Sequence, residues 1–249
     1  MFWIRMRNGV IFMKPAKQIS ESIPLGIILA MAGGLMDAYS YVCRGHVFAN
    51  AQTGNILLFG VHLSEGEPEI AFRYACPVLA FAIGIGLATT IRHHLKDASL
   101  LHWRQVSILI EVVILSMVAF LLQSVNLLAN SLTSLACGIQ VQSFRKINGN
   151  GIATTMCIGN LRTATQALCD FWHTKDAEHG KKSLLYYGII ICFGIGAVIG
   201  NKCVESFAEK AILGSSLFLI MGFLIMFISE ENRIFRRAAS LEAKHLQDE

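Results

Sequence analysis

Asp37 lies inside the apolar run from Ile23 to Cys43, beside Gly33 and Gly34. A carboxylate carried to bilayer depth costs about 2.5–3.5 kcal/mol on insertion scales. Such a residue serves either as a proton or cation site or as an acceptor that caps a nearby helix end. Glu111, in ILIEVVILSMVAF, is a second acid in an apolar run, near the start of its segment. Asn55 and Asn160 each follow a glycine, Gly54 and Gly159, within two short half-polar stretches, FANAQTGNILLFGVHL (Phe48 to Leu63) and ATTMCIGNLRTATQALCDFWH (Ala153 to His173). A helix starting there would present unpaired N–H groups and a positive dipole end, suited to an anionic ligand group or a buried carboxylate. The alternative is a cap that satisfies a broken backbone.

Thr53, Thr154, Thr155, Gln140 and Gln142 add hydrogen-bonding groups to the same layer, where interhelical contact is the ordinary role. The candidate substrate- or ion-binding set is therefore Asp37, Thr53, Gly54, Asn55, Gln140, Thr155, Gly159 and Asn160. No H-E-x-x-H, G-x-S-x-G or G-x-x-x-x-G-K-[ST] occurs, so membrane protease, lipase and nucleotide-driven pump lack a motif. The seven cysteines are scattered without a C-x-x-C pair, as expected of small apolar packing groups. No catalytic residue, cofactor or metal is expected.

The elements that must carry these residues are set by composition. The 249 residues are 54% hydrophobic and 15% charged, with mean hydropathy +0.53; soluble domains carry about 25% charge. The chain is therefore a polytopic membrane protein with the lipid bilayer as its solvent. A net charge of +4 is too small to indicate a nucleic-acid partner. Apolar runs able to cross about 30 Å of hydrocarbon fall at Ile23 to Cys43, Ala71 to Ile91, Val106 to Leu128, Leu184 to Asn201 and Ala211 to Ser229. A weaker one covers Asn130 to Phe144.

Lys and Arg near span ends decide whether the two half-polar stretches also cross. If they do not, 17 of the 21 basic residues fall on the cytoplasmic side and only Arg44, Arg73, Lys202 and Lys210 outside; if they do, the division is 13 to 8. Six spans with both termini cytoplasmic follow, and the half-polar stretches become re-entrant or broken half-helices. Residues 1–22 read as a cytoplasmic tail without a cleavable signal, with Met13 as an alternative start, and 230–249 as a second tail.

Self-similarity is visible as well. Gly34-Leu35-Met36, Thr53-Gly54-Asn55 and Gly84-Ile85-Gly86 match Gly138-Ile139-Gln140, Ile158-Gly159-Asn160 and Gly194-Ile195-Gly196 at offsets of 104, 105 and 110. The fold expected is an all-α integral membrane protein of six transmembrane helices, arranged as two inverted three-helix repeats, 23–128 and 129–229, each with a half-helix. An odd number of crossings inverts the second copy, a plan of secondary transporters with a midplane site.

The segments AGGLMDAYSYVCRGHVFANAQTGN (Ala32 to Asn55) and CGIQVQSFRKINGNGIATTMCIGN (Cys137 to Asn160) resemble the two signature regions of the DUF1275 family, the YoaK-like or UPF0700 transmembrane proteins. That resemblance implies a bacterial integral membrane protein of about this size and leaves its activity open. The family's Thr-Gly-Asn in the second signature is Ile158-Gly159-Asn160 here. The function expected is a small-solute transporter or permease of the bacterial cytoplasmic membrane. The competing class is a non-transporting scaffold, a partner subunit or a membrane-bound enzyme. The sequence leaves the solute and a homo-oligomeric state open.

Overall fold

The computed structural model describes residues 19–95 and 102–228. The tails expected at 1–22 and 230–249, with the alternative start at Met13, lie outside these residues apart from 19–22. The described chain is all helical: α1 (Ile23–Cys43), α2 (Gln52–Ser64), α3 (Pro68–Leu95), α4 (Trp103–Val118), α5 (Asn126–Ser143), α6 (Cys157–Thr174) and α7 (Ala177–Phe207). A 3-10 turn at Ala208–Ile212 leads into α8, residues 213–228. By length and composition α1, α3 and the α7–α8 stretch can cross a membrane.

Large apolar side chains face outward along these helices, as a lipid solvent requires. Phe72, Leu79 and Ile83 on α3 are more than 60% exposed, and so are Leu184, Ile191 and Val198 on α7. The inward faces hold one extended cluster, built from Leu25, Leu29 and Met36 of α1, Ile108 and Leu115 of α4, Ala136 and Cys137 of α5, and Leu219 of α8.

The main packing exchanges partners between the two halves: α1 lies on α7 and α3 on α5. Both crossings are glycine contacts in which backbone meets backbone. A Cβ on Gly34 would collide with the Phe193 carbonyl, and one on Gly196 with that of Met31. At the other crossing, Gly138 meets the Phe81 carbonyl and Gly84 that of Leu135. The two sets correspond residue for residue, at a spacing of 104 between α1 and α5 and of 112 between α3 and α7. The sequence offset of 110 for the third match is thereby corrected. Gly84 corresponds to Gly196, whereas Gly86 and Gly194 look into open space. The identical triplets align at 110, but the helix face that makes the contact is two residues away.

The run Val106 to Leu128 is not one span. α4 ends at Val118 and α5 has already begun at Asn126. The reason is Arg44, which the sequence placed as a loop cation and which is 1% exposed. Its Nη2 donates to the carbonyls of Leu121 (2.8 Å) and Val118 (3.2 Å), and its Nη1 to Leu122 O (3.2 Å) and Asn126 Oδ1 (3.0 Å). Nε donates to Tyr39 Oη at 2.7 Å. The guanidinium thus occupies the negative end of α4, where the last carbonyls lack intrahelical partners. Asn130 Nδ2 fixes the Arg44 carbonyl in turn, at 2.8 Å. Glu209, in the 3-10 turn nearby, is held below the usual carboxylate range by a backbone amide at its own residue and by Gln123, with Arg44 contributing less.

Two outcomes test this packing. Gly84→Ala and Gly196→Ala should each lower the thermal unfolding midpoint in detergent, by the 1–3 kcal/mol or so that overpacking costs, while Gly86→Ala and Gly194→Ala leave it in place. Arg44→Lys should destabilise by about 2 kcal/mol or more, because an ammonium cannot span five acceptors and each charged hydrogen bond contributes about 1.5–3 kcal/mol.

Candidate functional site

Beyond Arg44 the chain does not continue outward. Residues 45–51 fold back along α1, with Gly45 and His46 at positive φ, and Asn50 reaches the level of Gly33 and Asp37. Asp37 Oδ1 accepts the Asn50 amide at 2.7 Å, and the amides of Ala49 and Ala51 lie beside the same carboxylate. Asn50 Nδ2 donates to Gly33 O at 3.0 Å. A reversal buried among helices frees backbone groups that must be paired inside the protein; here the carboxylate of the previous helix takes the Asn50 amide.

α2 starts at this point, with Ala51 as a cap residue that makes no side-chain bond. Thr53, Gly54 and Asn55 lie within the first turn and do not precede the helix. Asn55, fully buried, turns backward: its Oδ1 accepts the Phe48 amide at 3.0 Å and its Nδ2 donates to Phe48 O at 2.8 Å. Asn160 holds the equivalent place in α6. It is the fourth helical residue, after a Met156 cap without a side-chain bond, and it donates to Ala153 O at 2.7 Å. Both asparagines staple the residue seven positions earlier, so they clamp the incoming loop and do not cap the helix. Gly54 leaves room for the Phe48 ring, which a Cβ would approach to 2.8 Å.

The second loop arrives at the same turn of α1. Gln140 Nε2 donates to Leu29 O at 2.9 Å and to Thr154 Oγ1 at 3.4 Å. Thr155 lies against Gly33, its Cγ2 3.1 Å from where a Cβ would stand. Cys157, the first residue of α6, is within electrostatic range of Asp37. The two half-helix starts therefore converge on one stretch of α1, Leu29 to Asp37. Three buried oxygens there have no hydrogen-bond partner: Asn50 Oδ1, Gln140 Oε1 and Thr155 Oγ1.

Of the residues expected from sequence, Asp37, Gln140 and Thr155 meet at this stretch, while Asn55 and Asn160 hold the two loops from the first turns of α2 and α6 and Gly54 packs beneath Phe48. Thr53 and Gly159 are exposed, and nothing stands where a Gly159 side chain would be; the structure does not bring these two in. Asn50 was missed, although it is the polar residue nearest the start of α2 in the loop. Gln142 bonds Thr89 at 2.9 Å and ties α5 to α3 instead.

A groove of about 320 Å³ opens between α1 and α7, lined by Ile23, Ile27, Lys181, Leu184, Leu185 and Gly188 among others. Its Ile27 wall is about 15 Å of helix from Asp37. Near the end of α2, His62 comes within 2.7 Å of Glu67 and 3.5 Å of Glu65. This exposed ion-pair cluster is the group of possible metal ligands among the described residues.

Comparison with known proteins supplies the rest. A family model described as "Protein of unknown function (DUF1275)" matches residues 25–225. The chain is 25% identical over 205 residues to the UPF0700 transmembrane protein YoaK of Bacillus subtilis (strain 168), covering 80% of this chain and 90% of that protein. No solved structure matches. The matched region takes in α1 to α7 and most of α8, hence both loops and all three unpartnered oxygens, and the chain belongs to the DUF1275 family of transmembrane proteins.

Proposed function

We propose that the chain is a small-solute transporter of the bacterial cytoplasmic membrane, whose site is the stretch of α1 where the two re-entrant loops meet. The observation that carries this reading is the set of three buried oxygens without partners, on Asn50, Gln140 and Thr155. A buried polar atom left unpaired costs about 1–3 kcal/mol, and three along one face-to-loop stretch of about two helix turns are accounted for by a ligand that donates hydrogen bonds to them. The solute class is therefore a polar molecule carrying N–H or O–H groups.

The wider architecture supports it. In this reading α1, α3, α4, α5, α7 and α8 cross the bilayer, α2 and α6 enter and leave by one face, and both termini are cytoplasmic. The matched glycine crossings support reading α1–α4 and α5–α8 as inverted copies, and broken helices meeting near the midplane are a transporter plan. Asp37 then acts by holding the first loop in place and by contributing charge to the site. No residue here is assigned a catalytic role.

Screening purified protein for thermal stabilisation by polar solutes tests the proposal. A ligand at a hundredfold its Kd should add about 2.7 kcal/mol. Thr155→Val removes one oxygen at nearly constant shape and should weaken that ligand about three- to tenfold, the value of one hydrogen bond, with the unfolding midpoint of the free protein kept. A ligand that binds this variant as tightly as the parent lies elsewhere. Independently, reporter fusions after Glu67, His94, Asn126 and Lys181 should read outside, inside, outside, inside; an outside signal at His94 removes the six-span arrangement.

A further inference from the structure

We propose that Glu111 is a proton-exchanging site, a carboxyl that is neutral at rest in the packed interior and can release and recover its proton. It is the ninth of the 16 residues of α4, so roughly 10–12 Å of helix separate it from either end. It is 0% exposed, and neither Oε1 nor Oε2 has a hydrogen-bond partner. Ile108 and Leu115, a turn away on the same face, are fully buried members of the apolar cluster. The sequence placed Glu111 near the edge of a longer span. Because α4 ends at Val118, the residue stands at the middle of its helix.

The surroundings select the ligand. A carboxylate there would be an unpaired charge in hydrocarbon-like packing, the arrangement buried charges avoid. A metal cation would need several more oxygen ligands, and the faces within one turn supply Ile108 and Leu115. A proton needs none: it binds Glu111 directly to give the neutral acid, and the reverse step returns the carboxylate and a hydronium ion.

The titratable groups around it are few. From α5 the Cys137 thiol lies within electrostatic range of both Glu111 and Asp37 of α1. On α3 it is Arg92 that lies within range of Arg104, two turns before Glu111. Ahead of α8, Glu209 and Lys210 sit in the 3-10 turn, at the end of the bundle where Arg44 meets α4. Ser215 and Ser216 of α8 are buried, and Ser216 Oγ is also unpartnered.

Asp37 is the less suitable carrier, because its Oδ1 is engaged by the Asn50 amide at 2.7 Å and protonation would loosen the loop. The two acids thus divide the work: Asp37 positions and Glu111 exchanges. Coupling of that proton to solute movement rests on the transport reading above; exchange at Glu111 does not.

The experiment is labelling of the wild-type protein in lipid nanodiscs by dicyclohexylcarbodiimide, an apolar reagent for protonated carboxyls, with peptide mapping by mass spectrometry. The expected result, with the labelling run from about pH 5 to about pH 9, is label on Glu111 whose yield falls as the pH is raised. Glu111→Asp should keep this profile, while Glu111→Gln and a denatured control establish the background. Absence of label at residue 111 throughout that range, or a yield that does not change with pH, overturns the proposal. PH-dependent label in a protein for which the solute screen finds no ligand keeps proton exchange and removes solute transport.

Discussion

A chain that reverses direction among packed helices must bring its own hydrogen-bond partners, and several of the polar side chains buried in this protein, Asn50, Asn55 and Asn160 among them, answer that requirement. Lipid cannot accept or donate. Each loop that turns back before α2 or α6 therefore carries amides and carbonyls that must be met inside the protein, by backbone where the loop pairs with itself or a neighbour and by side chains elsewhere. Asp37 accepts the Asn50 amide of the first loop, Tyr186 donates to Gly151 O of the second, Asn50 and Gln140 tie the two loops to carbonyls of α1, and Asn55 and Asn160 clamp each loop to the helix that follows it. These bonds hold two irregular segments against the stretch of α1 from Leu29 to Asp37, and the proposed site is made of that convergence of parts that are individually structural.

The two glycine crossings supply the frame. Each removes a side chain where two helix backbones touch, so α1 and α7, like α3 and α5, approach more closely than larger residues would allow. Because each crossing joins one half of the chain to the other, neither half can keep its partner while moving alone. The symmetry is imperfect at the chemically interesting position. Asp37 has no acidic counterpart, since residue 141 at the same spacing is valine. The charge and the longer network therefore belong to the first loop.

Much of this was legible in the sequence. Helices α1 and α3 were visible as apolar runs, and the pairing of Asn55 with Asn160 came from spacing alone. The reading was weaker where polarity and backbone geometry compete. Phe120, Leu121 and Leu122 extend an apolar run, so no hydropathy pattern shows that α4 stops at Val118; the stop comes from a residue more than 70 positions earlier that binds the terminal carbonyls. Thr53-Gly54-Asn55 looks like a cap because capping chemistry and loop-clamping chemistry use the same residue types. Only the direction of the Asn55 bonds, backward to Phe48, separates them. Asn50 carried no spacing signal, because its counterpart is Thr155 and the match lies in position, not in residue type.

The Arg44 contact also sets an order of assembly. As a ribosome delivers this chain, the first helix and its terminal arginine emerge well before residues 118–126, which hold all but one of the acceptors for that guanidinium. Until those residues arrive, only Tyr39 is at hand, and a cation at the helix end is best kept in contact with water or lipid headgroups. Docking of α4 is the step that draws it inward, and Asn130 then closes over the Arg44 carbonyl once α5 has begun. The end of the first helix thus waits for α4 and α5, the middle of that helix waits longer still for Phe193 and Gly196 of α7, and the loop leading to α2 settles only after Arg44 has docked.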